Sequence, residues 1–590
     1  MPTSSKLHAT RRAAVGSLAL PLFAGACAHP AAGPPSEGDA TELASTNSTT
    51  DAQLERAVES IREEDLARHV QVLASDRFEG RFPGSPGETK TLSYISAAFA
   101  RSGLVPAVDG DFTQEVPLSR ATPDVGGRMR LHPAIAKAGE KTKTLSELAW
   151  GPDFLAGVTP ATPELHLEGL PVVFGGYGIV APEYDWDDYA NVDLRGKVVI
   201  VLGGEPGTPE DARFEGRALT HHGTSNGKVE AAAARGAKGL LVLRADGEGG
   251  LAWDTLAIGA RAPKYALRGS NEEAALAFRG LLREDRLARL LEGAGTKLAD
   301  LQRAANGPGF VARPLPFQLD VDLAASYEST RSHNVVAVLP GRTRPDEYLV
   351  YTAHWDHVGT RPELEGDTIF NGAVDNATGI AALLELAEAY AALPEPPERS
   401  IVFVATTAEE QGLLGSQWYA ENPVFPLART VGVVNIDALF PFGAFDSMTV
   451  VAPGASELDE YLARAAEAVG RTLHADPMPE LGAFFRSDHY PFAVHGVPAL
   501  FAVGGPGPET SADSPQLARF EDYLTRRYHQ PADEYDAATW DMAGIRQDVE
   551  IFFRLGCELA NSTDMPNWRP DHAFRAKRDA MLRAATERSD

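Results

Sequence analysis

Five short apolar runs, at 334–339, 348–353, 401–406, 431–436 and 499–503, constrain this chain more than any other feature. They are largely β-branched, helical patterns separate several of them, and three stop at polar residues. Buried strands that alternate with helices build a largely parallel sheet covered on both faces. Sheets of this kind gather their ligands beyond the carboxyl ends of the strands. The residues at those ends are therefore the first candidates for function.

The run 348–353 delivers His354, Asp356 and His357, and after a loop Asp375 stands just before the helical run 380–390. The run 401–406 leads into Glu409 and Glu410, and the run 431–436 ends in Asp437. A single carboxylate after a strand is usually a helix cap. Convergence of three strand ends at one sheet edge points instead to a metal site, and a histidine and carboxylate set without cysteine suits zinc or a similar divalent ion.

Charge and termini narrow the setting. A formal net charge of −28 opposes binding to nucleic acid or anionic lipid. Lys6, Arg11 and Arg12 precede an uncharged apolar run at 13–26, too short to span a bilayer and shaped like a secretory leader. Residues 1–27 are thus expected to be a signal peptide, and Cys27 is the candidate lipidation site. The expected location is periplasmic, outer-membrane lipoprotein or secreted, and an acyl chain on Cys27 is the only membrane attachment the sequence offers, since no segment has the length of a span. Cys27 and Cys557 are the only cysteines, so no disulfide framework supports the fold, and Cys557 lies in an apolar helical pattern.

Composition divides the rest. Residues 28–50 are rich in Ala, Pro, Gly, Ser and Thr and read as a linker. Residues 51–164 open with helical spacing at 54–73 and a second helix over 89–102. The Gly-rich loop between them, including Arg77 to Arg81, is either a surface turn or a border of the cleft. From 165 to 305 the texture changes to Gly-punctuated strands around an Ala-rich helix, and residues 306–565 hold the alternating strands. Residues 566–590 are expected to be a C-terminal tail. Gly223-Thr224-Ser225-Asn226-Gly227 matches the nucleophile pattern G-x-S-x-G, but a charged, polar segment precedes it where the motif needs an apolar strand, so the match is accidental.

Two resemblances extend this reading. The segment 174–189 (FGGYGIVAPEYDWDDY), then DLRGKVVIVL and KVEAAAARGAKGLLVL, resembles a protease-associated domain, implying an inserted, small, β-rich unit at 165–305. His354-Trp355-Asp356, the block 372–379 (GAVDNATG), Glu409-Glu410, Asn435-Ile436-Asp437 and the late block 528–533 (YHQPAD) resemble the M28 family of zinc metallopeptidases. That resemblance implies a zinc exopeptidase fold, α/β with a mixed, largely parallel central sheet flanked by helices, and two zinc ions. It gives Asp375 to both ions, His354 and Asp437 to one, and Glu410 and His529 to the other. It makes Glu409 the general base and Asp356 the partner that orients His354, with a cis peptide bond after Asp375. With three ligand carboxylates against two dications, a bridging hydroxide would neutralise the cluster, and the shared water would ionise near neutral pH. Asp488 and His489, in Arg486-Ser487-Asp488-His489, match a block near the substrate pocket and are candidates for substrate binding. His221, His222, His333 and His357 match no ligand position.

The expected activity is removal of N-terminal residues from peptides, with a carboxypeptidase as the nearer variant. Two other classes share the fold. A noncatalytic binding protein would lack ligands, and all five candidates are present here. A single-zinc acyltransferase resembling glutaminyl cyclase would differ in bound-metal stoichiometry.

Overall fold

The computed structural model describes residues 52–134, 145–159, 162–207, 213–248, 252–269 and 276–587. The leader, the linker and Cys27 lie outside the described residues. After a short helix at 52–58, helix α1 (Glu63–Leu73) buries Leu66, His69, Val70 and Leu73 on one face. Helix α2 (Pro86–Arg101) begins three residues before the expected position, because Ser85 caps it. The Ser85 hydroxyl accepts from the Gly87 and Glu88 amides and Pro86 occupies the first turn, both favourable at a helix start. Gly103, at φ +76°, ends it.

Strand β1 (Thr113–Pro123) is followed by the strands of a second sheet: β2 (Arg128–Pro133), β3 (Ser146–Ala149), β4 (Phe154–Val158), β5 (Glu164–Phe174) and β6 (Val198–Val201). Helix α3 (Ser225–Ala234), β7 (Gly239–Arg244) and β8 (Phe278–Arg283) complete it. β5, β6, β7 and β8 run parallel in that order, and β4 closes the edge antiparallel to β8. Strands β2 to β4 pair within this sheet, so the sheet takes in residues from 128 onward, ahead of the position 165 at which the texture of the sequence changes. Their polarity hides this: alternating residues such as those of Arg128–Pro133 face solvent on one side, and composition does not register which sheet they join.

One strand belongs to both sheets. β9 (Arg313–Leu339) is 27 residues long; Leu315, Phe317, Leu319, Val321 and Leu323 alternate into the core of the insertion, and its first half pairs with β2 and β5. Its second half pairs with β1 and with β11 of the main sheet. That sheet is formed by β10 (Arg344–His354), β11 (Arg399–Thr406), β12 (Thr430–Asn435) and β13 (Ala499–Gly504). All four are parallel, in the order β11, β10, β12, β13, and β9 runs antiparallel to β11. The architecture is the expected mixed, largely parallel sheet flanked by helices.

Between β10 and β11 lies α4 (Thr378–Ala391), buried along nearly its whole length. Ile380, Leu383, Leu384 and Leu386 are each fully buried, worth about 1.5–3 kcal/mol apiece. Helix α5 (Ala543–Asn561) packs on α4 and on the sheet. Gly556 of α5 admits the Tyr351 and Tyr390 hydroxyls, 3.0 Å apart; a Cβ there would stand 1.9 Å from the first and 2.1 Å from the second. Cys557 beside it is buried, its thiol pushed up by desolvation.

The expected tail is a packed element. Trp568 is buried and donates to the Gly496 carbonyl, and Arg578 of helix α6 (Arg575–Glu587) is buried and donates to the Leu427 and Thr430 carbonyls at the start of β12. High charge obscured it, since a guanidinium that satisfies backbone carbonyls leaves no apolar pattern. Among the described residues no helix is long and apolar enough to cross a membrane.

Candidate metal centre

The carboxyl ends of β10, β11 and β12 bring His354, Glu409, Glu410 and Asp437 to one sheet edge. Asp375 joins them from the turn ahead of α4, and His529 from the loop after Tyr523–Arg527. The Asp375–Asn376 peptide is cis. His354 Nε2 lies 3.3 Å from Asp375 Oδ1, 3.2 Å from Asp437 Oδ1 and 3.9 Å from Glu409 Oε2. His529 Nε2 lies 3.0 Å from Asp375 Oδ2 and 3.2 Å from Glu410 Oε2. Each oxygen of Asp375 thus faces a different histidine, the arrangement a carboxylate shared by two cations requires.

Four carboxylates gathered in one pocket, Asp375 buried and Glu409, Glu410 and Asp437 half-buried, repel one another unless cations sit among them. Burial raises Glu409 well above the usual carboxylate range, with Asp437 and Glu410 adding to it and His354 opposing. Burial acts on Asp375 in the same direction, but hydrogen bonds with His354 and His529 outweigh it and hold that carboxyl well below its ordinary value. The donors are nitrogen and oxygen without sulfur, and Glu410 Oε1 has no hydrogen-bond partner, His357 Nδ1 lying 2.6 Å away but out of line for one. Donor chemistry, spacing and an orphaned ligand atom all fit divalent zinc.

Surrounding groups hold these ligands. Asp533 accepts from the Val374 and Asp375 amides at 2.9 and 3.1 Å. Asn376 donates to the Ile436 carbonyl and accepts from the Gly379 and Ala438 amides, tying the turn of Asp375 to the end of β12. Ser487 donates to Asp437 Oδ2 and accepts from Asn435, both at 2.6 Å. Arg81 is buried and donates to the carbonyls of Leu73, Trp355, Asn371 and Gly372, clamping the segments that carry His354 and Asp375. Its loop keeps Arg77 exposed and an ion pair between Glu79 and Lys90, and through buried Arg81 it borders the segments that carry the ligands.

Several assignments change in detail. Asp356 is buried near His354, but its carboxylate is 3.8 Å from Nδ1 and too far to hydrogen-bond. The Asp356 carbonyl, at 3.1 Å, orients the imidazole, while the carboxylate accepts from the Glu409 amide at 3.0 Å. His357, given only packing by sequence, sits in the cluster with Nδ1 2.6 Å from Glu410 Oε1 and both ring nitrogens without hydrogen-bond partners. With Asp375 and Glu410 it forms one three-donor group, and His354, Glu409 and Asp437 form another. Asp488 and His489 do not offer themselves to a substrate. Asp488 is fully buried and accepts from Thr406 and Ser416 hydroxyls. His489 is fully buried between the Phe484 and Phe501 rings, and desolvation pushes it down to about 3. The adjacent Ser487 is the residue of that block that reaches the cluster.

Ser225 opens α3 behind a 3₁₀ turn, not a strand, with the Thr224 side chain capping the helix. His221 contacts Tyr490 and Glu230, and His222 contacts Glu183, so neither activates it.

Comparison with known proteins agrees with this site. The sequence model of Peptidase family M28 matches residues 334–552, which contain all the ligand candidates. Aminopeptidase NAALADL1 of Mus musculus is 32% identical over 156 residues, 25% of this chain and 19% of that one. A probable zinc metalloprotease of Pyrenophora teres f. teres is 38% identical over 116 residues, 20% of this chain and 24% of that one. The match thus spans about a fifth to a quarter of the length of these relatives. An aminopeptidase from Aneurinibacillus sp. strain AM-1 superposes over 88% of this chain and 99% of its own, at 19% identity and a TM-score of 0.48. Residues 334–552 of this chain thus match the sequence model of Peptidase family M28.

Proposed function

We propose that this protein is an exported di-zinc exopeptidase, an aminopeptidase that removes N-terminal residues from peptides. The observation that carries the reading is Asp375 standing between two histidine-containing donor sets, His354 with Asp437 and His529 with Glu410. Zinc bound there supplies Lewis acidity, polarising a carbonyl and lowering the pKa of a coordinated water.

The chain's own residues do the rest. Glu409 lies farther from His354, at 3.9 Å, than Asp375 and Asp437 do, at 3.3 and 3.2 Å, which leaves its carboxylate clear of the ligand set and suits it to act as general base. It takes a proton from the attacking water at its carboxylate and returns it to the leaving amine. Asp356 holds the Glu409 backbone in place through the amide bond at 3.0 Å, a role of positioning. Ser487 and Asp533 fix Asp437 and Asp375, so the ligands need no rearrangement during turnover. The Tyr528 ring stacks on His529 at 3.9 Å and shields that side from solvent. The inserted sheet is read as a protease-associated domain.

The test is a panel of peptides with free and with blocked N-termini, assayed on the full chain before chelation, after it and after zinc is restored. Cleavage confined to free N-termini, lost on chelation and recovered with zinc, is the expected result. Cleavage of blocked peptides from the C-terminal end, or activity that survives chelation, would overturn it.

A further inference from the structure

We propose that the chain carries a second kind of metal site, a structural divalent-cation site built by His69 of α1 with Glu385 and Glu388 of α4. One ligand atom from each of these residues lies within 4.8 Å of the others. The group shares no member with the catalytic cluster.

The argument rests on two orphaned atoms. His69 is 1% exposed and Glu385 fully buried, yet His69 Nε2 and Glu385 Oε1 have no hydrogen-bond partner. They face each other at 3.9 Å. That is too long for a hydrogen bond, which closes at about 2.7–3.2 Å. It leaves room for one ion between the two atoms, bonded to both at about 2.0–2.2 Å across a widened angle. Leaving both atoms bare in the interior costs the fold the desolvation of two polar groups with no bond in return.

The remaining atoms are already arranged for this. His69 Nδ1 is 2.8 Å from the Tyr94 hydroxyl, which fixes the ring and turns the Nε2 lone pair toward the two glutamates. Glu385 Oε2 accepts from the Arg62 amide, leaving Oε1 free. Glu388 follows Glu385 by three positions, hence on the same helix face, and its partial exposure gives an ion a way in from solvent. Asp65 is engaged by Arg62 and Arg68, so those arginines do not neutralise the site. Burial holds His69 down to about 4, aided by Arg68 and Arg101, and raises Glu385 to about 8; the imidazole is neutral and able to ligate, and a cation bound there would displace the proton that Glu385 holds at neutral pH.

One imidazole nitrogen with two carboxylates, water completing the shell, suits zinc or a similar ion. Calcium, which takes about six to eight oxygen ligands, is not suited. The ion would staple α1 to the helix that begins three residues after Asp375, making the N-terminal helix part of the catalytic scaffold.

The test uses the full chain, stripped with a chelator, reloaded with zinc alone, desalted and assayed for zinc by mass spectrometry. Glu388→Gln and His69→Asn should each carry one zinc fewer per chain than the wild type, and zinc-soaked crystals should give an anomalous peak among the three residues. Glu388 is partly exposed, so its variant folds even if the His69 variant does not. Equal zinc content in wild type and Glu388→Gln, or a water with no anomalous signal at that place, would overturn the proposal. The crystal reads this site separately from the catalytic cluster, so failure of either leaves the other standing.

Discussion

Replacing Arg81 by Met removes one buried charge and four hydrogen bonds to carbonyls that border the metal ligands. The guanidinium is pushed down to about 10 by burial, opposed by Asp533, Asp375, Asp356 and Glu410, and so remains charged at neutral pH. It is the cation these carboxylates see from below. Losing one partner of a buried charge network costs about 3–5 kcal/mol. Loss of a group that orients metal ligands lowers affinity or activity by about 10–100-fold. Arg81→Lys keeps the charge but cannot reach carbonyls of four separate residues in the fixed fork geometry of guanidinium, so it should fall between wild type and Met. The assay is zinc affinity by chelator competition beside thermal melting of the same samples. A lowered melting temperature with unchanged zinc affinity in Arg81→Met would refute the view that Arg81 positions the ligand segments.

Other perturbations follow from the same geometry. Ser487→Ala should lower zinc affinity or turnover by about 10-fold or more, because Asp437 loses the hydroxyl that orients it; an unchanged rate and zinc content would exclude that role. Gly556→Ala should lower the melting temperature while zinc content holds, since the added Cβ collides with two tyrosine hydroxyls and overpacking costs about 1–3 kcal/mol. Lys228, buried in the insertion, is pushed down by desolvation to about 7. Because the unfolded chain holds that proton up to about pH 10.4, stability from this group rises as pH increases from 7, by about 2 kcal/mol at pH 9. The stability of wild type relative to Lys228→Met should therefore rise from pH 6 to pH 9, and the same relative stability at both would contradict a deprotonated Lys228.

How far the sequence carries depends on whether a residue acts through its neighbours along the chain or across space. His354, Glu409, Glu410 and Asp437 were legible because each terminates a strand whose apolar run is visible, and the family resemblance supplied Asp375 and His529. The roles of Arg81 and Asp533 were not, because most of their partners are backbone groups more than 150 residues away, which leave no pattern in side-chain identity. Ser487 was hidden beside Asp488 and His489, whose charge and imidazole drew attention that their burial does not support. His357 lies three positions from His354, but whether a side chain just past a strand end turns toward the cluster or away from it depends on the local backbone. The start of the second sheet is hidden for a related reason: β2 to β4 are ordinary half-exposed strands, and their allegiance is settled by pairing with β9 and β8.

Glu409→Gln and Glu410→Gln, compared side by side for initial rate and bound zinc, test the central assignment most directly. Glutamine keeps the shape of Glu409 and cannot accept a proton, so turnover should fall by about 10² to 10⁴ while zinc content stays at the wild-type level. Glu410→Gln removes an anionic ligand atom 3.2 Å from His529 and should carry less zinc. Near-normal turnover in Glu409→Gln, or loss of zinc from that variant and not from Glu410→Gln, would contradict the account.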